Sequence, residues 1–312
     1  MSKILGIDTS NYTTSAALLD TDTLEAVQCK KLLPVKKGEK GIRQADAVFH
    51  HTKQLPEVIS RLDFSGDITG IGVSVKPRLA EDSYMPCFLV GESAADIIGF
   101  VNSIVPDKTS HQIGHILAAL YSSNRLDLIF SSSPFAAFHF SGGTTDILLC
   151  TPYADKLLDI KRIGGSSDLK AGQAVDRCGV MLGLDFPCGK ELEAIAEKSS
   201  AVFKHRPAVK GTECSLSGLE NKFRELSDNG VPDEDIAKYC LTYLLDTVKA
   251  LTNNLYDGYG RIPVVYAGGV MSNRLIRSEL EESDRIFCAP EFSSDNAVGV
   301  AVYSAIKRGV IK

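Results

Sequence analysis

What the sequence lacks narrows it first. No stretch approaches the ~18 consecutive apolar residues that a membrane span requires, so no transmembrane helix is predicted. The eight cysteines are scattered and form no Cys-x-x-Cys pair. That fits reduced thiols of a cytosolic protein better than a disulfide framework. Positive charge is not in excess: 34 Lys and Arg stand against 39 Asp and Glu, for a net charge of −5. Such a chain is not expected to grip nucleic acid over its whole surface. If it binds RNA, a local basic patch or a partner protein must supply the cations. No apolar leader precedes the first strand pattern, Met1-Ser2-Lys3-Ile4-Leu5-Gly6, so the expectation is a cytoplasmic protein without a signal peptide. Low-complexity segments and flexible linkers are also missing.

What is present begins with size. The 312 residues are 44 % hydrophobic and 23 % charged, enough for two globular domains with sizeable cores. The stretch that organises the rest is His111-Gln112-Ile113-Gly114-His115, followed by an apolar run over residues 116–120. Residues four apart share one helix face, with β-carbons roughly 5–6 Å apart, so two imidazoles there can share a metal ion. The zincin pattern His-Glu-x-x-His needs a glutamate as general base. Here that position is Gln112, which cannot take the proton. The pair therefore suggests a metal site and not a metalloprotease, and a third ligand must come from elsewhere.

Residues 4–8 read as a buried strand, 9–15 as a polar turn and 16–20 as a second strand, together a hairpin. Ala136-Ala137-Phe138-His139-Phe140, Ser141-Gly142-Gly143-Thr144-Thr145 and Asp146-Ile147-Leu148-Leu149-Cys150 repeat that arrangement about 130 residues later. Solenoid periods are roughly 20–50 residues, so this repeat points to two related halves; it resembles the actin-like phosphotransferase architecture, which implies that each half opens with a hairpin whose backbone N–H groups hold phosphate. Between the hairpins the pattern alternates. Residues 45–62 are helical, with Pro56 early in a possible second segment. Residues 68–75 form a strand, 91–104 a helix, and 107–110 lead into the His111 helix. Residues 76–86 form an irregular loop. After the second hairpin, helical spacing runs over 166–183, where Asp168 could cap the start and Asp176 falls mid-run. Further helices are expected at 191–197, 215–226, 233–256 and 273–282, strands at 263–267 and 285–288, and a closing helix at 297–306. Gly268-Gly269-Val270 is a strand–glycine–helix junction, where a ligand can approach backbone closely. Alternating strand and helix predicts an α/β fold with largely parallel central strands.

Several segments now stand in one order: Gly6-Ile7-Asp8-Thr9-Ser10, His111-x-x-x-His115, Phe140-Ser141-Gly142-Gly143, Ala171-Gly172-Gln173-Ala174-Val175-Asp176, Leu182-Gly183-Leu184-Asp185-Phe186-Pro187-x-Gly189, Ser215-x-Ser217-Gly218-Leu219, Ala267-Gly268-Gly269-Val270-x-x-Asn273-Arg274 and Pro290-Glu291-Phe292-x-x-Asp295-Asn296. The set resembles the tRNA threonylcarbamoyl transferase family, TsaD, over nearly the whole chain. The resemblance implies an actin-like, Hsp70-like fold of two related α/β domains around a cleft. The first would span residues 1–130, with the C-terminal helix 297–312 packing back on it, and the second 131–296. It implies metal-dependent transfer of a threonylcarbamoyl group from threonylcarbamoyl-adenylate to the N6 amine of the adenosine beside the anticodon. It implies one transition metal, iron or zinc, held by His111, His115 and Asp295, and substrate contacts at His139, Phe140, Ser141, Gly142, Gly143, Asp176, Gly189 and Asn273. It also implies tRNA as acceptor and two helpers: a smaller actin-like, TsaB-like paralogue against the N-terminal half and a TsaE-like ATPase.

The residues fit these roles chemically. Ser141-Gly142-Gly143 offers backbone donors to a carboxylate or phosphate. Asp176 can accept from ribose hydroxyls, and Asn273 can hydrogen-bond a sugar or base edge. The first hairpin departs from the family's usual Glu-Thr-Ser-Cys-Asp-Glu-Thr, reading Asp8-Thr9-Ser10-Asn11-Tyr12-Thr13-Thr14 and so lacking two acids. Ser141-Gly142-Gly143-Thr144-Thr145 replaces Ser-Gly-Gly-His-Thr, and Lys76-Pro77-Arg78-Leu79 replaces Gly-Pro-Gly-Leu. These departures mark a divergent member. They keep open another carbamoyl or acyl transfer, nucleotide hydrolysis, or a non-catalytic nucleotide-binding role in a tRNA-modification complex. Lys30, Lys31, Lys36, Lys37, Lys40 and Arg43 form the densest basic stretch and the best local candidate for tRNA phosphate contact.

Overall fold

The computed structural model describes residues 2–10, 12–34, 42–80, 83–153, 157–280, 282, 284–293 and 297–312. The chain forms two compact units: Met1–Leu126 with Ser294–Lys312, and Asp127–Ser293.

In the first unit, a meander of β1 (Ser2–Asp8), β2 (Thr13–Asp20) and β3 (Ala26–Leu32) precedes α1 (Gln44–Ser60). Then come β4 (Asp67–Lys76), α2 (Phe88–Asn102), β5 (Asp107–Ser110) and α3 (His111–Ser122). The five strands are ordered β3-β2-β1-β4-β5. β1 pairs antiparallel with β2 and parallel with β4. Ile4, Leu5 and Ile7 are fully buried, as expected of a central strand covered on both faces. β3 alternates between half-buried and exposed positions, and its lysines suit a sheet edge. On one face Leu5, Ile7, Ala16, Leu18 and Val73 pack with Leu55 and Val58 of α1 and Ala95 of α2. α1 runs unbroken through Pro56 and forms no second segment there. An interior proline costs roughly 3 kcal/mol. Here it sits amid the buried residues His51, Gln54, Leu55 and Val58, whose packing offsets that cost.

The other face of the sheet receives the closing helix, Val298–Lys307. Its backbone lies so close that a β-carbon on Gly6 would stand 2.3 Å from the Ala297 carbonyl oxygen. One on Gly299 would stand 1.8 Å from the carbonyl oxygen of Gly114, in α3. No side chain fits either position, so glycine there is a packing requirement. Arg308 locks the helix end, donating to Asp107 Oδ2 at 2.7 Å, the Thr69 carbonyl at 3.1 Å and the Val105 carbonyl at 2.7 Å. The closing helix thereby fixes α3, which carries both histidines.

The second unit contains α4 (Asp127–Phe130), β6 (Phe135–Phe140), β7 (Thr145–Tyr153), β8 (Leu157–Ser166), α5 (Ala171–Met181), α6 (Gly189–Ala196) and the short pair β9 (Val209–Lys210) and β10 (Glu213–Cys214). It continues with α7 (Gly218–Asp228), α8 (Asp233–Tyr259), β11 (Val264–Ala267), α9 (Arg274–Leu280) and β12 (Arg285–Phe287). The sheet runs β12-β11-β6-β7-β8-β10-β9. Its first five strands repeat the first unit's order and directions, with β6–β7 and β7–β8 antiparallel and β6–β11 and β11–β12 parallel. The repeat read from the two hairpins is therefore a repeat of whole sheets. The core joins Phe138, Phe140 and Tyr266 of the sheet to Leu241, Leu244 and Val248 of α8. Tyr266 is fully buried, and its hydroxyl donates to Thr252 Oγ1 at 2.8 Å, because the Thr252 proton goes to the Val248 carbonyl.

Helix α5 starts at Ala171, later than the spacing over 166–183 predicts, and Asp168 does not cap it. Its carboxylate instead accepts from Ser215 Oγ at 2.6 Å, Leu216 N at 2.8 Å and Ser217 N at 3.2 Å. Burial opposes its charge, but these donors prevail and hold Asp168 well below the usual carboxylate range.

Candidate functional site

In the first unit, Ser110 Oγ caps α3 by accepting from Ile113 N at 3.3 Å, and Gln112 N donates to the Pro77 carbonyl at 3.0 Å. These bonds start the helix where β5 ends, so His111 and His115 lie one turn apart in a nearly closed interior, 8 % and 7 % exposed. Their Nε2 atoms face each other at 2.8 Å. On its other side, His111 Nδ1 lies 2.7 Å from Asp8 Oδ2. Asp8 is 1 % exposed. Its Oδ1 accepts from Ser74 Oγ at 2.7 Å and from Ser10 N at 3.0 Å. The parallel β1–β4 register sets Ile7 beside Val73, and so Asp8 beside Ser74.

This donor set fits a metal ion. Bonds of about 2.0–2.1 Å to imidazole place two ligating nitrogens about 3 Å apart, close to the separation seen. A carboxylate on the far nitrogen of a ligating histidine is the usual support for such a ligand. Among the described residues, no group of three acidic, thiol or imidazole side chains converges as a metal would need. The expected third ligand, Asp295, lies outside the described residues, two positions before Ala297.

At the first hairpin, two backbone N–H groups are already engaged. Ser10 N donates to Asp8, and Thr13 N donates to the Ser10 carbonyl at 3.1 Å. Thr9 Oγ1 donates to the Cys87 carbonyl at 2.9 Å and accepts from Gly91 N at 3.0 Å, tying the tip to α2. Thr14 Oγ1 lies 3.0 Å from Gln54 Oε1 and 2.8 Å from His51 Nδ1. The threonine has one proton to give and the amide oxygen needs it, so His51 Nδ1–H donates. Side chains of Asp8, Thr9 and Thr14 thus lie in buried hydrogen-bonded networks.

The second hairpin is the open one. Ser141 N donates to the Thr144 carbonyl at 2.7 Å, and Thr144 N to Ser141 Oγ at 3.1 Å. Gly142 and Gly143 are exposed, and their N–H groups have no acceptor among the described residues. Phe140 is buried beneath them, and His139 stands half-buried beside it. Gly172 of α5 presses on this turn, donating its N–H to the Ser141 carbonyl at 3.1 Å.

Bonds lead from this turn to every other residue expected at the site in this unit. Asp176, on α5, accepts from Cys188 N at 3.0 Å, which brings it to Gly189 at the start of α6. Gly189 is exposed, with space around its α-carbon. Four residues on, Glu193 accepts from Asn273 Nδ2 at 3.0 Å. Gly268 then returns to the turn, since a β-carbon there would stand 2.3 Å from the Phe140 carbonyl oxygen. So Gly268 is needed by the neighbouring strand, and Gly269 is the open member of the pair. Asn273 is 7 % exposed; besides its bond to Glu193, its Oδ1 caps α9 through Ile276 N at 3.1 Å. Its second Nδ2 hydrogen and second Oδ1 lone pair are not used by these two bonds. Asp176 is half-buried, and only its Oδ1 has a partner among the described residues. Burial raises its pKa, opposed by the Cys188 N–H.

Asp8, Ser74 and Glu193 are functional candidates that the sequence reading passed over. Asp8 stood inside a quoted motif, but only the strand register shows that it meets His111. Glu193 could have been found from its place one helical turn after Gly189. In the basic stretch, Lys31 pairs with Glu57 at 2.7 Å and Arg43 with Asp46 at 2.8 Å, which reduces the local excess of charge. Lys36, Lys37 and Lys40 lie outside the described residues. Among the described residues, no helix is long and apolar enough to cross a membrane.

Two sheets of one repeated order define the actin-like class. Solved structures of that shape span essentially the whole chain. Full-length HypF in its phosphate- and nucleotide-bound form is 12 % identical with a TM-score of 0.58, over 100 % of this chain and 56 % of that one. Component A of (R)-2-hydroxyglutaryl-CoA dehydratase from Acidaminococcus fermentans is 15 % identical with a TM-score of 0.57, over 99 % and 100 %. A ROK family glucokinase from Streptomyces griseus, in complex with glucose and AMPPNP, is 10 % identical with a TM-score of 0.53, over 97 % and 99 %. At these identities the likeness shows the fold alone. The family is shown by sequence: the model of TsaD, tRNA N6-adenosine threonylcarbamoyltransferase, matches residues 32–302. The chain belongs to the TsaD family.

Proposed function

We propose that this chain transfers a threonylcarbamoyl group from threonylcarbamoyl-adenylate to the N6 amine of the adenosine beside the anticodon of tRNA, using one iron or zinc ion held by His111, His115 and Asp295. The observation that carries the reading is the pair of facing Nε2 atoms, 2.8 Å apart, with Asp8 behind one of them. A metal there would supply Lewis-acid polarisation of the transferred carbonyl. The chain's own residues hold the donor substrate. The Gly142 and Gly143 N–H groups bind its carboxylate or phosphate. Asp176 accepts from a ribose hydroxyl through its second oxygen, with Glu193 and Asn273 bracing the far side. Transfer to tRNA calls on helper proteins: the smaller actin-like paralogue and the ATPase. On the first unit, Leu89, Ile97, Phe100 and Val101 of α2 are exposed, with Val105 just beyond; Phe100 reaches 89 %. Such a surface supports a reading in which a protein covers that unit.

Complementation of a strain lacking its main transferase, with nucleoside analysis of bulk tRNA, tests the proposal. Restored threonylcarbamoyladenosine supports it. A second reading is favoured by the first hairpin, whose Thr9 and Thr14 are engaged internally. In that reading the site acts on another acceptor, or hydrolyses or simply binds the nucleotide. Release of AMP from the acyl-adenylate without tRNA modification is its signature.

A further inference from the structure

We infer that Asp8 is a positioning residue that fixes the His111 proton on Nδ1 and so presents the Nε2 lone pair toward His115. The value of that lone pair rests on the metal-dependent reading above. The argument is a count of protons. A carboxylate oxygen only accepts, so in the 2.7 Å contact with Asp8 Oδ2 the proton belongs to His111 Nδ1. A neutral imidazole carries one N–H, and its other nitrogen is then a lone pair, the form that ligates a metal. The Asp8 carboxylate cannot swing away, because Ser10 N and Ser74 Oγ both donate to Oδ1 and the residue is 1 % exposed. The ring is held from another side by Phe88, whose edge-on ring lies 6.3 Å away between centroids. The first hairpin therefore acts on the chemistry of α3 across 103 residues of sequence.

The same count makes Asp8→Asn an informative variant. The backbone N–H of Ser10 requires an acceptor at the Oδ1 position, so the amide oxygen must stay there. The amide NH2 then faces His111 Nδ1, which must become the acceptor. The proton moves to Nε2, where it blocks ligation. Two readouts on the full chain test this. In the metal-free protein, 15N spectra of His111, assigned by comparison with His111→Gln, should show the Nδ1–H tautomer in the wild type and the Nε2–H tautomer in Asp8→Asn. Zinc affinity by chelator competition should fall about 10–100-fold in the variant, the usual effect of removing such a support. Thermal unfolding of both proteins confirms that the variant is folded. An Nε2–H tautomer in the wild type overturns the inference and needs no variant. An unchanged tautomer and zinc affinity in a folded Asp8→Asn also overturns it. If the wild type shows the expected tautomer but binds neither zinc nor iron, the positioning stands and the metal-dependent reading falls.

Discussion

At the tip of the first hairpin, Asp8, Thr9 and Thr14 turn their side chains inward and fasten β1 and β2 to α1, α2 and α3. At the tip of the second, Gly142 and Gly143 carry no side chains and leave their backbone N–H groups toward solvent. Both tips join equivalent strands of sheets with the same order. A duplicated frame thus carries two kinds of chemistry, one built from side chains and one from main chain. The difference predicts opposite responses to substitution. Side-chain chemistry is lost when an atom is removed. Main-chain chemistry survives a change of residue until a side chain blocks the approach.

The largest expected effect lies in the first unit. His111→Ala with His115→Ala should reduce bound metal from one ion per chain to none by elemental analysis, leaving nucleotide affinity in the second unit unchanged. Retained metal would separate these histidines from the site. Next come the glycines. Gly6→Ala places a β-carbon 2.3 Å from the Ala297 carbonyl. It should cost about 1–3 kcal/mol, read as a lower urea midpoint, since overpacking a close contact costs that much. Gly142→Ala meets nothing within 4 Å and should change stability by no more than about 0.5 kcal/mol.

Asp176 sharpens the comparison within the second unit. Burial raises its pKa above the ordinary 3.8, so the folded protein binds this proton more tightly than the unfolded chain does. Stability from this group is fully present at acid pH and declines as pH rises past 3.8. Asp176→Asn keeps the acceptor for Cys188 N and removes the buried charge. Its urea midpoint at neutral pH should rise, while calorimetry should show affinity for AMP or an acyl-adenylate mimic falling about tenfold, the worth of one hydrogen bond to a charged group. A midpoint that falls would refute this account of the site. The smallest effect concerns tRNA. Lys36→Glu with Lys37→Glu should lower the slope of log affinity against log salt by about 1–2 in binding titrations, if these residues meet phosphates.

The sequence disclosed the fold through its hairpins because a buried strand with a polar tip is a local pattern. It disclosed His111 and His115 because a four-residue spacing on a helix is also local. It could not disclose that Asp8 supports His111, since that contact depends on the β1–β4 register and on where α3 begins. Nor could it disclose that Asn273 donates to Glu193 and caps α9. A polar residue at a glycine junction looks the same in sequence whether it faces a ligand or its own fold. Nor could the sequence settle whether Pro56 opens a second segment, which depends on the packing around that helix.

The closing helix sets an order of assembly. The second unit is one uninterrupted stretch, Asp127–Ser293, and all of its strands and helices leave the ribosome together. The first unit is drawn from stretches on both sides of the second, and its sheet stays bare over Gly6 until residues 297–301 emerge. Domains folding during translation complete themselves in order of emergence, so here the second unit finishes first. The helix that carries His111 gains its contact with Gly299 only after that residue emerges. A nascent chain stalled before residue 297 would hold a complete second unit and a first sheet uncovered over Gly6.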